Sequence, residues 1–162
     1  MKRHYLIAFL AMFLLLGTGR VMAQSEAVSS KLVGVWQMCF YVSDKPDVPG
    51  DLRPSNCFKI LGGDGTFINM NVIPNYGAII QGLGTFKETA PNAYTEHVEK
   101  NLHLPQLVGV DNVLEYEMKG DDVMVLKYFV KTDKEGNELN TWYYETWKRV
   151  RMPAKYPSAF VR

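Results

Sequence analysis

The sequence predicts an all-β protein: a single eight-stranded antiparallel up-and-down β-barrel. Three observations carry this prediction. Runs rich in β-branched and aromatic residues alternate apolar and polar positions with a period of two, as half-buried strands do. Turn residues punctuate them at short intervals, most clearly Gly62-Gly63-Asp64-Gly65 and Gly120-Asp121-Asp122. The connections are shorter than the crossovers that parallel pairing needs, so each strand pairs antiparallel with the next. A meander of eight strands then closes on itself, because closure removes its two exposed edges.

The first strand is Leu32–Val42, "LVGVWQMCFYV". Its alternation puts Trp36, Met38 and Phe40 on one face and Val35, Gln37, Cys39 and Tyr41 on the other. A connection with three prolines, Ser43–Ser55, leads to the second strand, Asn56–Leu61. There Phe58 and Ile60 are expected inside, with Cys57 and Lys59 on the more polar face. The third strand, Thr66–Ile73, stops at Pro74. The fourth, Ala78–Lys87, contains Gly82 and Gly84, and glycines within a strand mark a bulge or a sharp bend. The fifth is Tyr94–Asn101, followed by the second long connection, Leu102–Asn112. In the sixth, Val113–Lys119, Glu115 and Glu117 face water, which turns Leu114, Tyr116 and Met118 inward. In the seventh, Val123–Val130, Lys127 goes out with Val125 and Phe129, leaving Met124, Leu126 and Tyr128 inside. The eighth is Leu139–Val150. Placing Glu145 in water there puts Trp142 and Tyr144 inside.

A leader precedes the barrel. Lys2, Arg3 and His4 are basic, Tyr5–Leu16 is an unbroken apolar run, and Val21-Met22-Ala23 is a small-residue cleavage site. That order is the signature of a secretory signal peptide, and the run is shorter than the about 20 residues a spanning helix needs. The expected organisation is therefore a signal peptide at 1–23, a linker at 24–30, the barrel domain at 31–150 and a tail at 151–162. It places the protein in the periplasm or outside the cell, with no membrane span. Lys2, Arg3 and Arg20 are three of the 18 bases, so 15 bases remain against 17 acids, a charge of −2. That balance offers no basic footprint for nucleic acid. Outside the reducing cytosol disulfides persist, so Cys39 and Cys57 are either bridged or a pair of partly buried thiols.

The stretches "LVGVWQMCFYV", "PSNCFKILGGDGTF" and "NTWYYETWKRV" are similar to those of secreted bacterial lipocalin-like proteins, across nearly all of residues 31–150. More broadly, Gly34-x-Trp36 on the first strand and Arg149 late in the last resemble the calycin superfamily. The resemblance implies that Trp36 plugs the closed end of the barrel and that Arg149 packs across its ring. The second lipocalin motif, a Thr-Asp-Tyr run, is absent.

No catalytic constellation stands out. A nucleophile elbow, G-x-S-x-G, does not occur, and "GGDGTF" lacks the Lys and the helix of a phosphate-binding loop. His97-x-Glu99 places two metal-ligand types on one strand face, but within "YTEHVEKN" that face reads as solvated, and no metal or other cofactor is expected. What remains is binding. Phe40, Phe58, Tyr116, Met124, Tyr128, Trp142 and Tyr144 are expected to line an apolar interior with phenolic handles, open at the end that carries the two long connections. The alternative is an interior filled by those same side chains, which eight strands permit. The expected function is an exported, non-enzymatic barrel that binds a small apolar or amphipathic molecule. The competing expectation is an envelope protein that contacts another protein through its open-end loops.

Overall fold

The computed structural model describes residues 31–42 and 50–155. The expected signal peptide, the linker and the end of the tail lie outside the described residues. Eight strands form in chain order: β1 Gly34–Val42, β2 Asp51–Leu61, β3 Thr66–Ile73, β4 Gly77–Ala90, β5 Ala93–Asn101, β6 Asp111–Lys119, β7 Val123–Thr132 and β8 Glu138–Arg149. Each pairs antiparallel with the next, and β8 returns to β1 to close the barrel. The only helical piece among the described residues is a 3₁₀ turn, Pro105–Leu107, between β5 and β6. No helix among them is long and apolar enough to cross a membrane.

The meander sends alternate connections to opposite ends. The β2–β3, β4–β5 and β6–β7 turns share one end with Trp36, and the short β3–β4 turn shares the other with the longer β5–β6 and β7–β8 connections. The Trp36 end is closed. Trp36 is fully buried, and its indole Nε1 donates to the Leu32 carbonyl at 2.9 Å. The Arg149 guanidinium lies 4.1 Å from the centre of the Trp36 ring. It also donates to the carbonyls of Val33 at 2.8 Å, Asp121 at 3.0 Å and Lys31. The chain entering β1 is thereby strapped across the base. Gly34 makes room for this: its φ is +147°, and a Cβ there would sit 2.7 Å from Arg149 Nη1.

Above the base lies the core, built around Leu61, Phe67, Phe86, Tyr94, Leu126 and Trp147. Each large apolar side chain so buried is worth about 1.5–3 kcal/mol relative to water. Gly84 lets β4 bend over this core. A Cβ there would meet the His97 carbonyl oxygen at 2.0 Å and Phe67 at 2.9 Å, and the β4–β5 register shifts beside it.

Two strands depart from the expected facing. β2 begins earlier than expected, at Asp51, and carries Pro54 within it. Pro54 is tolerated because it falls at an irregularity, where β2 advances from Phe58 to Pro54 while β1 advances from Gln37 to Cys39. On the regular part of the ladder Trp36 faces Lys59, so Cys57, Lys59 and Leu61 point inward and Phe58 and Ile60 outward. In β8, Trp147 lies opposite Met38 and Met124 in the interior, which carries Glu145 and Tyr143 inward with it. Trp142 and Tyr144 go to the outer wall.

Candidate functional site in the barrel interior

Inside the barrel, above the apolar core, is a cavity of about 170 Å³. Its wall sets polar and charged groups among apolar ones such as Met38, Val98 and Leu114, and the apolar share of the surface is the larger. β2 contributes Cys57 and Lys59, β3 Asn69, β5 Glu96, β7 Tyr128, and β8 Glu145 and Trp147. The rim is made by the β5–β6 connection, through His103, Leu104 and Leu107. That connection is pinned in place. Asn101 Oδ1 accepts from the backbone N–H of His103 and Leu104, and Gln106 Nε2 donates to the Thr132 carbonyl at 3.0 Å. His103 is exposed, so the cavity meets solvent at this rim.

Two carboxyl groups and one ammonium face one another across this space. Lys59 Nζ donates to Glu96 Oε1 at 2.5 Å, and the two side chains are only 4% and 5% exposed. Tyr94 donates its hydroxyl to the same carboxylate at 3.3 Å. The ammonium also stands 5.6 Å from the Phe67 ring and 5.8 Å from the Trp147 ring. Charges so deeply buried persist only when paired and hydrogen-bonded. Glu145 is held differently. Its Oε1 accepts from the Tyr128 hydroxyl at 2.9 Å, and its Oε2 accepts from Trp147 Nε1 at 3.0 Å. Both donors are neutral. Asn69 lines the cavity, and its amide oxygen is shielded from solvent without a hydrogen-bond partner.

This environment holds phenols and thiols in their protonated forms. Burial, reinforced by Glu145, pushes the Tyr128 hydroxyl far above the ordinary phenol range. Burial and Glu96 do the same to Tyr94. Nearer the base, burial and a hydrogen bond to Glu88 push Tyr116 up to about 12. These phenols ionise in the unfolded chain near the ordinary value of about 10, and only at higher pH in the folded one. Their contribution is therefore complete below pH 10; that of Tyr116 is lost as pH rises through about 12, and those of Tyr94 and Tyr128 go on falling at higher pH. Urea midpoints should hold steady from pH 8 to 9.5 and fall from pH 10 upward. A flat profile to pH 12 would contradict this burial.

The expected ligand-lining residues divide. Tyr116, Met124 and Tyr128 are inside, and of these only Tyr128 lines the cavity. Phe40 is 57% exposed near the open end and does not line it. Phe58 faces outward, half-buried. Trp142 packs on Phe129 on the outer wall, with Lys127 Nζ 4.1 Å above its ring. Tyr144 is 67% exposed and pairs with Lys127 on the same wall. The cavity thus carries charged groups within a largely apolar lining, where phenols alone were expected as polar handles.

Cys39 and Cys57 are free thiols. The β1–β2 register sets Cys39 opposite Pro54 and leaves Cys57 on the cavity wall, so the two are not cross-strand neighbours. Burial raises both thiols above the ordinary range, with Glu145 adding to the effect at Cys57. Alkylation in denaturant without reductant should label both cysteines, read by intact mass. A chain that takes up label only after reduction would show a bridge. His97 Nδ1 pairs with Asp111 at 2.8 Å on the outer surface, and no group of three or more metal-ligating side chains occurs among the described residues.

A family model matches residues 31–158, nearly the whole span from the first turn to the tail, and its description is a domain of unknown function, DUF4488. The chain belongs to the DUF4488 family. No match was found among curated proteins.

In this DUF4488 barrel the cavity residues that the sequence reasoning missed are Lys59, Asn69, Glu96, Glu145 and Trp147. One signal for two of them was present in the sequence. If Arg149 packs over Trp36 at the base, a strand period of two puts Trp147 and Glu145 on the same inner face.

Proposed function

We propose that this DUF4488 protein is an exported binding barrel of calycin type that holds a small polar molecule in the cavity between Lys59, Asn69, Tyr128 and Glu145. The observation that carries this reading is the placement of polar groups. A barrel interior spends stability on buried charge, and well-packed apolar residues of similar volume would often do as well or better. Lys59–Glu96 and Glu145 instead stand beside an open space. A few precisely placed polar groups around a concavity are the usual make-up of a ligand site. The volume, about 170 Å³, is below the roughly 300 Å³ at which drug-sized ligands begin, and equals about five or six waters at about 30 Å³ each. This favours a compact polar ligand over a lipid or sterol.

Native mass spectrometry of protein purified from its own host tests the reading. The expected result is a retained small molecule that is lost on denaturation, from a chain beginning at Gln24. A bare chain whose melting temperature is unmoved by any member of a panel of small polar metabolites would sink it. A second reading, a protein-binding role in the cell envelope, is favoured by the outer wall. There Phe129, Trp142 and Tyr144 are exposed, and a shallow groove of about 610 Å³ runs past Pro91, Val125 and Tyr144.

A further inference from the structure

We infer that the interior cavity takes a small organic cation, a primary ammonium, with Glu145 as its counter-ion; the inference rests on the cavity being a ligand site at all. The argument is one of charge and of hydrogen-bonding capacity. The cavity wall holds two carboxyl groups, Glu96 and Glu145, against one ammonium, Lys59. Lys59 is committed to Glu96, leaving Glu145 with only the neutral donors of Tyr128 and Trp147. Each Glu145 oxygen has one of these donors, and a carboxylate oxygen can accept a second. The unused capacity of the site is thus in acceptors, which a donor-rich cation would fill.

The wall already contains one ammonium and shows how it is accommodated. Lys59 Nζ sits against a carboxylate with the faces of Phe67 and Trp147 within 6 Å. Glu145 is bounded by Tyr128 and by the same Trp147, which reach it through their O–H and N–H edges. Aromatic faces attract cations most strongly where water is excluded. A metal ion is a poorer fit, since no three metal-ligating side chains converge among the described residues. A volume of about 170 Å³ suits an amine of a few heavy atoms.

Calorimetric titration of the purified protein with ethylammonium and ethanolammonium chloride tests this, set against n-propanol, sodium propionate and sodium chloride at matched ionic strength. Cys57 lines the cavity and Cys39 does not, so the rate of Cys57 alkylation reports where a probe binds. Both amines are expected to bind, to slow Cys57 alkylation and to leave Cys39 unchanged. Glu145→Gln is expected to weaken them about tenfold to a hundredfold, the loss typical of a charged hydrogen bond. Should that variant fail to fold, the wild-type comparison of probes and the Cys57 rates decide alone. Propionate or propanol binding in the cavity as well as the amines would overturn the cationic class while leaving the cavity a ligand site. Amine binding that leaves Cys57 alkylation unmoved would overturn it as well, by placing the amine elsewhere. If no probe binds, the amine inference fails, and a molecule retained in native mass spectrometry still upholds the broader reading.

Discussion

Trp36→Ala should lower the stability of the barrel by about 3–5 kcal/mol, the range for removing a fully buried large aromatic side chain. The indole is 0% exposed and does three things at once. It fills the closed end, donates to Leu32, and offers its face to Arg149. Alanine leaves a hole that its neighbours are poorly placed to fill, since they are tied to the strap at residues 31–33. Arg149→Ala should cost less, about 1.5–3 kcal/mol, mainly through the lost charged hydrogen bonds to Val33, Lys31 and Asp121. Urea unfolding followed by circular dichroism measures both. A Trp36→Ala protein with the wild-type midpoint would refute the plug.

The second large effect is expected at the interior ion pair. Lys59→Met should destabilise the protein by about 3–5 kcal/mol, because Glu96 is left as an uncompensated charge in a site that water barely reaches. Glu96→Gln should fall in a similar range for the converse reason. The double change Lys59→Met with Glu96→Leu removes both charges, and it should recover most of the loss, since apolar packing often replaces a buried pair without penalty. With the single change Glu96→Leu added, Lys59→Met, Glu96→Leu and the double variant form a double-mutant cycle whose coupling term isolates the pair. If the single changes cost no more than about 1 kcal/mol, as an exposed pair would, the pair is not buried in solution. Recovery of stability in the double variant, combined with loss of any retained ligand, would separate the pair's structural role from a binding role.

The fold was legible in the sequence to an extent that the site was not. Strand existence, order and the closed meander follow from period-two alternation and from turn residues, both local properties. β3 runs Thr66–Ile73 in the structure as in the sequence reading, because Gly65 and Pro74 bound it chemically. β6 and β7 turn their expected faces inward because Glu115, Glu117 and Lys127 left little choice. Glu115 and Lys127 do meet on the outer wall, at 3.2 Å.

Facing failed where burial depends on a distant partner. In β2, Phe58 and Ile60 look like the inner set, and a lysine between them looks like the outer one. Lys59 is nevertheless inside, because Glu96 comes to meet it from a strand 37 residues away. In β8, Glu145 looks like a marker for water, yet Tyr128 and Trp147 satisfy it from within. A slip of one residue in facing exchanges the whole inner set for the outer one. A single misread charge therefore took Trp142 and Tyr144 inside and Trp147 out.

By itself, then, the sequence determined that the chain is an antiparallel eight-stranded barrel, since strand period and turn chemistry act over a few residues; the place of Gly34, Trp36 and Arg149 at its base was implied by the resemblance. Only the tertiary structure decided that its interior holds a cavity with charged groups on its wall. The cost of burying a carboxylate or an ammonium is set by the partner across the barrel, and no local pattern records which partner that is.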